Sequence, residues 1–179
     1  MKLLTYSAVA LSAVAILTAA TGNRQVTDNP KSPSADTSVK LGGKDVVIEY
    51  NAPSMRDRKV EGGLIPYDHI YRMGADAATT LTTETDLTIG NLNVPKGVYT
   101  LYLQAKESGP WQLAVNKQTK QWGTMYNQAQ DLGRADMKVT KLDSPVEVFK
   151  ITLSPKGGQA AELVVEWGHS KASVPIRAH

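Results

Sequence analysis

Arg72 and Asp76 are the residues of this sequence whose types and spacing best suit the recognition of a ligand. A guanidinium group presents a planar fork of N–H donors that matches the oxygens of a carboxylate or phosphate. Gly74 lies between the two residues and permits a turn that would bring them together. Tyr67 and Tyr71 precede them and could stack on a sugar or an aromatic ligand. The alternative is an internal Arg72–Asp76 ion pair that ties a loop to a sheet.

Two further groups extend this candidate ligand-binding set. Residues 56–59 form the charge run Arg-Asp-Arg-Lys, in which Arg58 is our candidate contact. Such a run is typical of a solvated turn, and an anion-binding patch is the alternative. Trp122 belongs to a mixed polar and aromatic segment that also contains Asn116, Lys117, Gln121 and Tyr126. That mixture is typical of carbohydrate-binding loops, although the indole could instead cap the core.

No motif in the sequence fixes a reaction. Glu61, Asp68 and Asp76 are carboxylates of one segment, and a pair about 5 to 9 Å apart could hydrolyse a glycosidic bond. There is no G-x-S-x-G elbow, cysteine nucleophile, Walker loop or G-x-G-x-x-G. The histidines match no metal-binding spacing; they are His69, His169 and His179. We therefore predict no catalytic residue, no metal and no cofactor, and keep an envelope glycan hydrolase as the alternative.

Composition narrows the class of protein. The chain has 179 residues, enough for one domain with a substantial core, and no cysteine, so packing alone must stabilise it. Its 20 basic and 17 acidic residues give a net charge of only +3, and the cations are scattered among the acids. Nucleic-acid-binding proteins concentrate their cations in a stripe. We therefore expect no nucleic-acid partner.

The N-terminus has the pattern of an export signal. Lys2 provides a positive charge, residues 3–20 are uncharged and apolar, and small residues follow at 18–22. We predict a signal peptide over residues 1–22, with an uncleaved membrane anchor as the alternative. A flexible polar linker is expected over residues 23–37. The mature protein would then be periplasmic or secreted, without a stable membrane span.

The remaining residues, 38–179, are expected to form a single domain of β-strands. Short apolar runs with period two alternate with Gly, Pro, Asn and Asp. Phe149, Ile151 and Leu153 give the clearest alternation. Gly90-Asn91 and Gly157-Gly158 are hairpin signals. Residues 98–103 have Tyr and Leu on both faces, which is typical of a central strand. We predict an all-β fold of about nine short strands, a β-sandwich of jelly-roll or immunoglobulin-like kind. Residues 51–78 break the pattern with Pro, Gly and charges, and long irregular connections are often functional.

Several blocks of this sequence resemble a known bacterial family, the domain of unknown function DUF2911. The blocks are GGLIPYDHIYRMGADAATTL, VPKGVYTLYL, WQLAVNKQTKQWG and VVEWGHSKASVPI, in matching order from about residue 37 to 176. The resemblance implies an exported β-sandwich and no established activity. Arg72, Gly74, Ala75 and Thr79 match the family pattern. The family usually has Trp, Thr and Asn where this chain has Tyr71, Met73 and Asp76.

These observations favour a non-enzymatic module that binds a polar ligand through residues 51–78. The expected partner is a polar small molecule, a glycan or another protein of the cell envelope. The ligand-contacting residues that we predict are Tyr67, Tyr71, Arg72, Asp76, Arg58 and Trp122.

Overall fold

The computed structural model describes residues 32–179, so the predicted signal peptide and most of the predicted linker lie outside the described residues. The described part is an all-β, sandwich-like domain, as predicted. Its ten strands are β1 Ser34–Leu41, β2 Lys44–Asn51, β3 Ile70–Tyr71, β4 Thr80–Thr83, β5 Leu87–Ile89, β6 Leu92–Val94, β7 Gly97–Gln104, β8 Trp111–Asn116, β9 Asp131–Gly157 and β10 Ala160–Ala178. A single turn of 3₁₀ helix, Gln128–Gln130, precedes β9.

The strands form one open antiparallel sheet in the order β1-β2-β4-β7-β8-β9-β10-β5-β6, with β3 added to β7. The sheet curls around one core, so that its first strands meet the distal half of β9. The Tyr50 hydroxyl accepts a hydrogen bond from the Ile151 N–H at 3.1 Å. The Leu153 N–H donates to Thr37 Oγ1 at 3.0 Å. These bonds satisfy β9 on the edge that faces away from β10, beyond the point where its pairing with β8 ends.

Alternation of apolar residues places the core where the sequence predicts it. Phe149, Ile151 and Leu153 are buried, while Lys150 between them is exposed. Strand β7 runs through the middle of the sheet and is buried continuously from Tyr99 to Leu103. Strands buried on both faces lose the simple alternation of a one-sided sheet. The prediction of a central strand at this position is confirmed.

Both predicted hairpins are present. Strands β9 and β10 are joined by Gly158-Gln159, and strands β5 and β6 are joined by Gly90-Asn91. Gly90 has a φ of 59°, whereas Asn91 is not left-handed. A left-handed first residue alone is the requirement of a type II′ turn, which explains the glycine.

Two strands are much longer than predicted. Strand β9 has 27 residues and β10 has 19, where the sequence pattern indicated several short strands. Residues 142–145 interrupt the pattern, but they form a bulge in β9 opposite His169 rather than a connection. A bulge leaves the extra residues unpaired while the strand continues.

The N-terminal boundary also differs from the expectation. Residues 34–37, placed in the flexible linker by their polarity, form the start of β1 and pair with β2. Their side chains alternate between exposed and half-buried. Backbone hydrogen bonding to an existing strand orders this segment, although its side chains contribute little apolar burial.

Candidate functional site

Residues 51–78 form the irregular segment that was predicted, and a strained turn begins it. The Arg58 N–H donates to the Met55 carbonyl at 3.0 Å and closes a four-residue turn. Its central residues, Arg56 and Asp57, have φ values of 48° and 60°. A turn with two left-handed residues normally uses Gly, Asn or Asp, so Arg56 is an unusual occupant.

The turn is tied to strand β9. The Met55 N–H donates to the Glu147 carbonyl, and the Arg56 N–H donates to the Glu147 carboxylate, each at 2.9 Å. The Arg58 guanidinium donates from Nε to Met55 O at 2.9 Å and from Nη2 to Ser54 O at 2.8 Å. These bonds hold the exposed Arg58 side chain in one orientation, and a side chain that is already ordered loses little entropy when it makes a further contact.

Arg72 is held in a similar way at the other end of the segment. Its Nε donates to the Gly74 carbonyl at 3.2 Å, and the Tyr71 hydroxyl donates to the same oxygen at 3.1 Å. Gly74 is required here, because a Cβ at this position would lie 2.8 Å from the Asn51 carbonyl oxygen. Both terminal nitrogens of Arg72 have no partner among residues 32–179. Their N–H groups lie in one plane and could donate hydrogen bonds to the oxygens of a bound anion.

Asp76 lies near Arg72 without pairing with it. The ion pairs of the described residues join other side chains, so the internal Arg72–Asp76 bridge considered above is absent from this part of the chain. The Asp76 side chain is exposed, and its backbone carbonyl accepts from the Gly123 N–H at 2.9 Å. Arg72 therefore keeps its charge uncompensated by a contacting carboxylate.

The two ends of the segment meet at an open cleft of about 580 Å³, which we call the arginine cleft. Its charged lining residues are Arg56, Arg58, Arg72 and Asp76, three cations against one anion. The volume lies in the range of about 300–1,000 Å³ that is typical of ligand sites. The three charged residues among the six predicted ligand contacts, Arg58, Arg72 and Asp76, are thus brought together.

Tyr71 also lines this cleft, but its ring belongs to the core. The side chain is 9% exposed and stacks on Trp167 with ring centroids 6.1 Å apart. Phe149 contacts the same ring edge-on at 6.0 Å. Burial raises the pKa of the Tyr71 hydroxyl well above its usual range. Tyr71 therefore forms part of the cleft floor, and the expected stacking of its ring on a ligand is not available.

Tyr67 and Trp122 do not line the arginine cleft. Tyr67 pairs through its backbone with Ala105, and its ring covers Gly62, where a Cβ would lie 2.8 Å from Tyr67 Cε2. Trp122 is 54% exposed and pairs through its backbone with Ala77. Both residues were predicted as ligand contacts because they are aromatic, but their backbone pairings place them outside the arginine cleft.

The three carboxylates of the hydrolase alternative do not share one cleft, whereas glycoside hydrolysis needs two carboxyl groups at the same site. Of Glu61, Asp68 and Asp76, only Asp76 lines the arginine cleft. Glu61 Oε1 accepts from the His169 N–H and the Ser170 hydroxyl, both at 2.8 Å, and so ties the segment to the bulged part of β10. The described residues also contain no group of three or more His, Asp or Glu that could hold a metal ion.

Backbone strain concentrates in the same segment. Of the six non-glycine residues with left-handed φ in residues 32–179, five lie between 51 and 78; the six are Arg56, Asp57, Asp68, Met73, Asp76 and Lys120. Each such residue costs on the order of 1 kcal/mol or more and persists only where its surroundings over-determine it. Strain of this kind clusters at binding and catalytic sites, which agrees with the position of the cleft.

A second polar cluster supports the neighbouring loop, and of its members only Asn116 and Tyr126 were singled out from the sequence. The Asp131 carboxylate accepts from the Tyr126 hydroxyl at 2.6 Å, from Asn116 Nδ2 at 2.8 Å and from Arg134 Nε at 3.3 Å. Arg134 Nη2 also donates to the Tyr126 hydroxyl at 2.8 Å. Burial, followed by the hydrogen bond to Asp131, raises the pKa of Tyr126 to about 12. Only the i,i+3 spacing of Asp131 and Arg134 is visible in the sequence, and in a strand that spacing does not predict contact.

Comparison with known proteins identifies the family without identifying an activity. No helix in residues 32–179 is long and apolar enough to span a membrane. Searches of curated proteins and of solved structures found no match to this chain. The family model described as protein of unknown function (DUF2911) matches residues 32–176, which include every strand from β1 to β9 and nearly all of β10. The resemblance drawn from the motifs is thereby confirmed, and the chain belongs to the DUF2911 family.

Proposed function

We propose that this protein is a non-enzymatic binding module whose arginine cleft takes a small oxyanion with more than one negative charge. The observation that carries the proposal is the orientation of Arg58 and Arg72 by backbone carbonyls at one open cleft. An arginine whose Nε is already bonded has little conformational freedom left to lose on binding. The lining side chains carry three positive charges and one negative charge, which favours an anion.

The chemistry of the lining also favours binding over catalysis. Asp76 is the single carboxylate of the cleft, whereas glycoside hydrolysis uses a pair. Guanidinium groups stay protonated near neutral pH, so they hold an anion but are poorly suited to act as general acid or base. A phosphoryl group or a compact polycarboxylate matches the planar donors of two arginines.

Calorimetric titration of the purified chain with pyrophosphate and with tricarballylate tests this proposal. We expect Arg58→Ala and Arg72→Ala each to weaken binding of the better probe by roughly tenfold to a hundredfold, as for lost charged hydrogen bonds. Arg72→Lys should bind with intermediate affinity, because it keeps the charge and loses the fork. All affinities should fall as ionic strength rises.

The matched control is Arg177→Ala, an exposed arginine on strand β10 that does not line the cleft. Its affinity should equal that of the unaltered protein. Trehalose, a neutral disaccharide, should not bind. Equal affinities for the Arg58, Arg72 and Arg177 variants, all folded by circular dichroism, would reject the arginine cleft as the site.

We also propose that the module acts outside the cytoplasm, in the periplasm or after secretion. The support is the charge and hydropathy pattern of residues 1–22. N-terminal sequencing of the protein recovered from the cell envelope or medium should begin close to residues 20–22. Recovery of a chain that still begins with Met1 would contradict cleavage.

A further inference from the structure

A second, smaller cleft adjoins the arginine cleft. Its volume is about 350 Å³, and it shares Leu64, Tyr71 and Arg72 with the arginine cleft. We call it the side cleft. Arg72 is its only charged lining residue, and the residues that belong to it alone are Pro66, Ile70, Gly123, Thr124 and Tyr126. The side cleft is thus largely apolar, and it lies beside a cleft that is strongly cationic.

The walls of the side cleft are held in place by contacts that do not depend on a ligand. The Tyr126 hydroxyl is bonded to Asp131 and Arg134, and its ring contacts Tyr102 edge-on with centroids 4.8 Å apart. Ile70 of β3 also lines the side cleft, and its backbone pairs with that of Gln104. A fixed wall whose polar atom is already satisfied offers a ligand mainly apolar surface.

The loop carrying Thr124 is packed closely against Arg72. A Cβ at Gly123 would lie 2.8 Å from Arg72 Cδ and 2.9 Å from the Asp76 carbonyl oxygen. Gly123 thus allows the loop to approach the aliphatic stem of Arg72 while the guanidinium group keeps its bond to Gly74. Long cationic side chains commonly present an apolar stem and a charged head in this way.

From this arrangement we infer that the ligand is an organic anion with two parts. Its charged head binds in the arginine cleft, and a short hydrocarbon or aryl substituent occupies the side cleft, with Arg72 between them. This inference rests on the proposed function. The charge of one cleft and the apolar lining of the other define the occupant as an amphipathic organic phosphate or carboxylate rather than an inorganic ion.

Titration with a series of phosphates tests the inference: inorganic phosphate, then methyl, ethyl, propyl and butyl phosphate. We expect each added methylene to tighten binding by roughly fourfold until the side cleft is full, as for burial of a CH₂ group. Thr124→Trp should fill the side cleft and abolish this gain while leaving the affinity for inorganic phosphate unchanged.

The matched control places the same indole at a neighbouring exposed residue that lines neither cleft. Met125 is 61% exposed and meets that requirement, so Met125→Trp should keep the chain-length dependence. Binding of inorganic phosphate with no gain along the series, or a gain that survives Thr124→Trp, would overturn the side-cleft inference alone. Absence of binding for every member of the series, together with pyrophosphate and tricarballylate, would overturn the proposed function as well.

Discussion

Replacing Trp167 with alanine is expected to lower the free energy of unfolding by about 4 kcal/mol, the range found for large aromatic residues in cores. Its side chain is 3% exposed. The ring stacks on Tyr71 and contacts Phe149 edge-on with centroids 5.6 Å apart. Its Nε1–H donates to the Glu147 carbonyl at 3.1 Å. Alanine therefore removes apolar burial, two ring contacts and one hydrogen bond, and it leaves a cavity.

Trp122 supplies the matched control, because it is the same residue type at 54% exposure. Trp122→Ala should change the free energy of unfolding by less than about 0.5 kcal/mol, as for most surface substitutions. Urea denaturation followed by circular dichroism measures both variants on one scale. A loss of under 1 kcal/mol in Trp167→Ala would show that the aromatic cluster is not the centre of stability that its burial indicates.

The second large effect is expected at Asp131, where alanine should lower the free energy of unfolding by about 3 kcal/mol. The cost arises from the donors that lose their acceptor, which are Tyr126, Asn116 and Arg134. Asn116 is fully buried, and the Arg134 side chain is 24% exposed, so water replaces the lost carboxylate poorly. A partly buried charge that loses its carboxylate is penalised more than a neutral group, although Arg134 keeps its hydrogen bond to Tyr126.

Asp136 lies on the same strand and provides the comparison. Its carboxylate accepts one hydrogen bond from Gln112 at 3.1 Å on the exposed face. Asp136→Ala should therefore cost less than about 0.5 kcal/mol by the same urea measurement. Equal losses at Asp131 and Asp136 would mean that the cluster around Tyr126 is no more stabilising than a surface contact.

The substitutions at Trp167 and Asp131 also bear on the proposed ligand site, because both residues hold the lining of a cleft in place. Trp167 lines the floor of the arginine cleft, and the Asp131 cluster fixes the Tyr126 wall of the side cleft. Binding is therefore measured with variants of the arginines, which should keep the fold, rather than with variants of Trp167 or Asp131. The arginines themselves are exposed or half-buried and lie outside the core.

Local chemistry was sufficient to predict the hairpins. Gly90-Asn91 and Gly157-Gly158 each separate two apolar runs, and a turn of this length joins strands that are neighbours in space. The joining of β9 into one long strand could not be predicted, because residues 142–145 look like a connection. Their accommodation opposite His169 depends on β10, which follows later in the chain.

The candidate site was predicted in part. Arg58, Arg72 and Asp76 line one cleft, as their charge and glycine-rich surroundings indicated. Tyr71 lies beside them, but its ring is engaged by Trp167 and Phe149, which follow it by 96 and 78 residues in the chain. Which face of an aromatic ring is exposed depends on such distant partners. Residue type alone therefore could not show whether the Tyr71 ring packs in the core or is available to stack on a ligand.

The sequence by itself determined the β class, the hairpin turns, the family and the irregular segment over residues 51–78. Each of these follows from neighbours along the chain: period-two burial, turn residues, and ordered motifs. Only the tertiary structure decided which side chains share a cleft and which are satisfied internally. Convergence of Arg58 and Arg72 depends on carbonyl groups and strand pairings that the curled sheet brings together, and no local pattern encodes that distance.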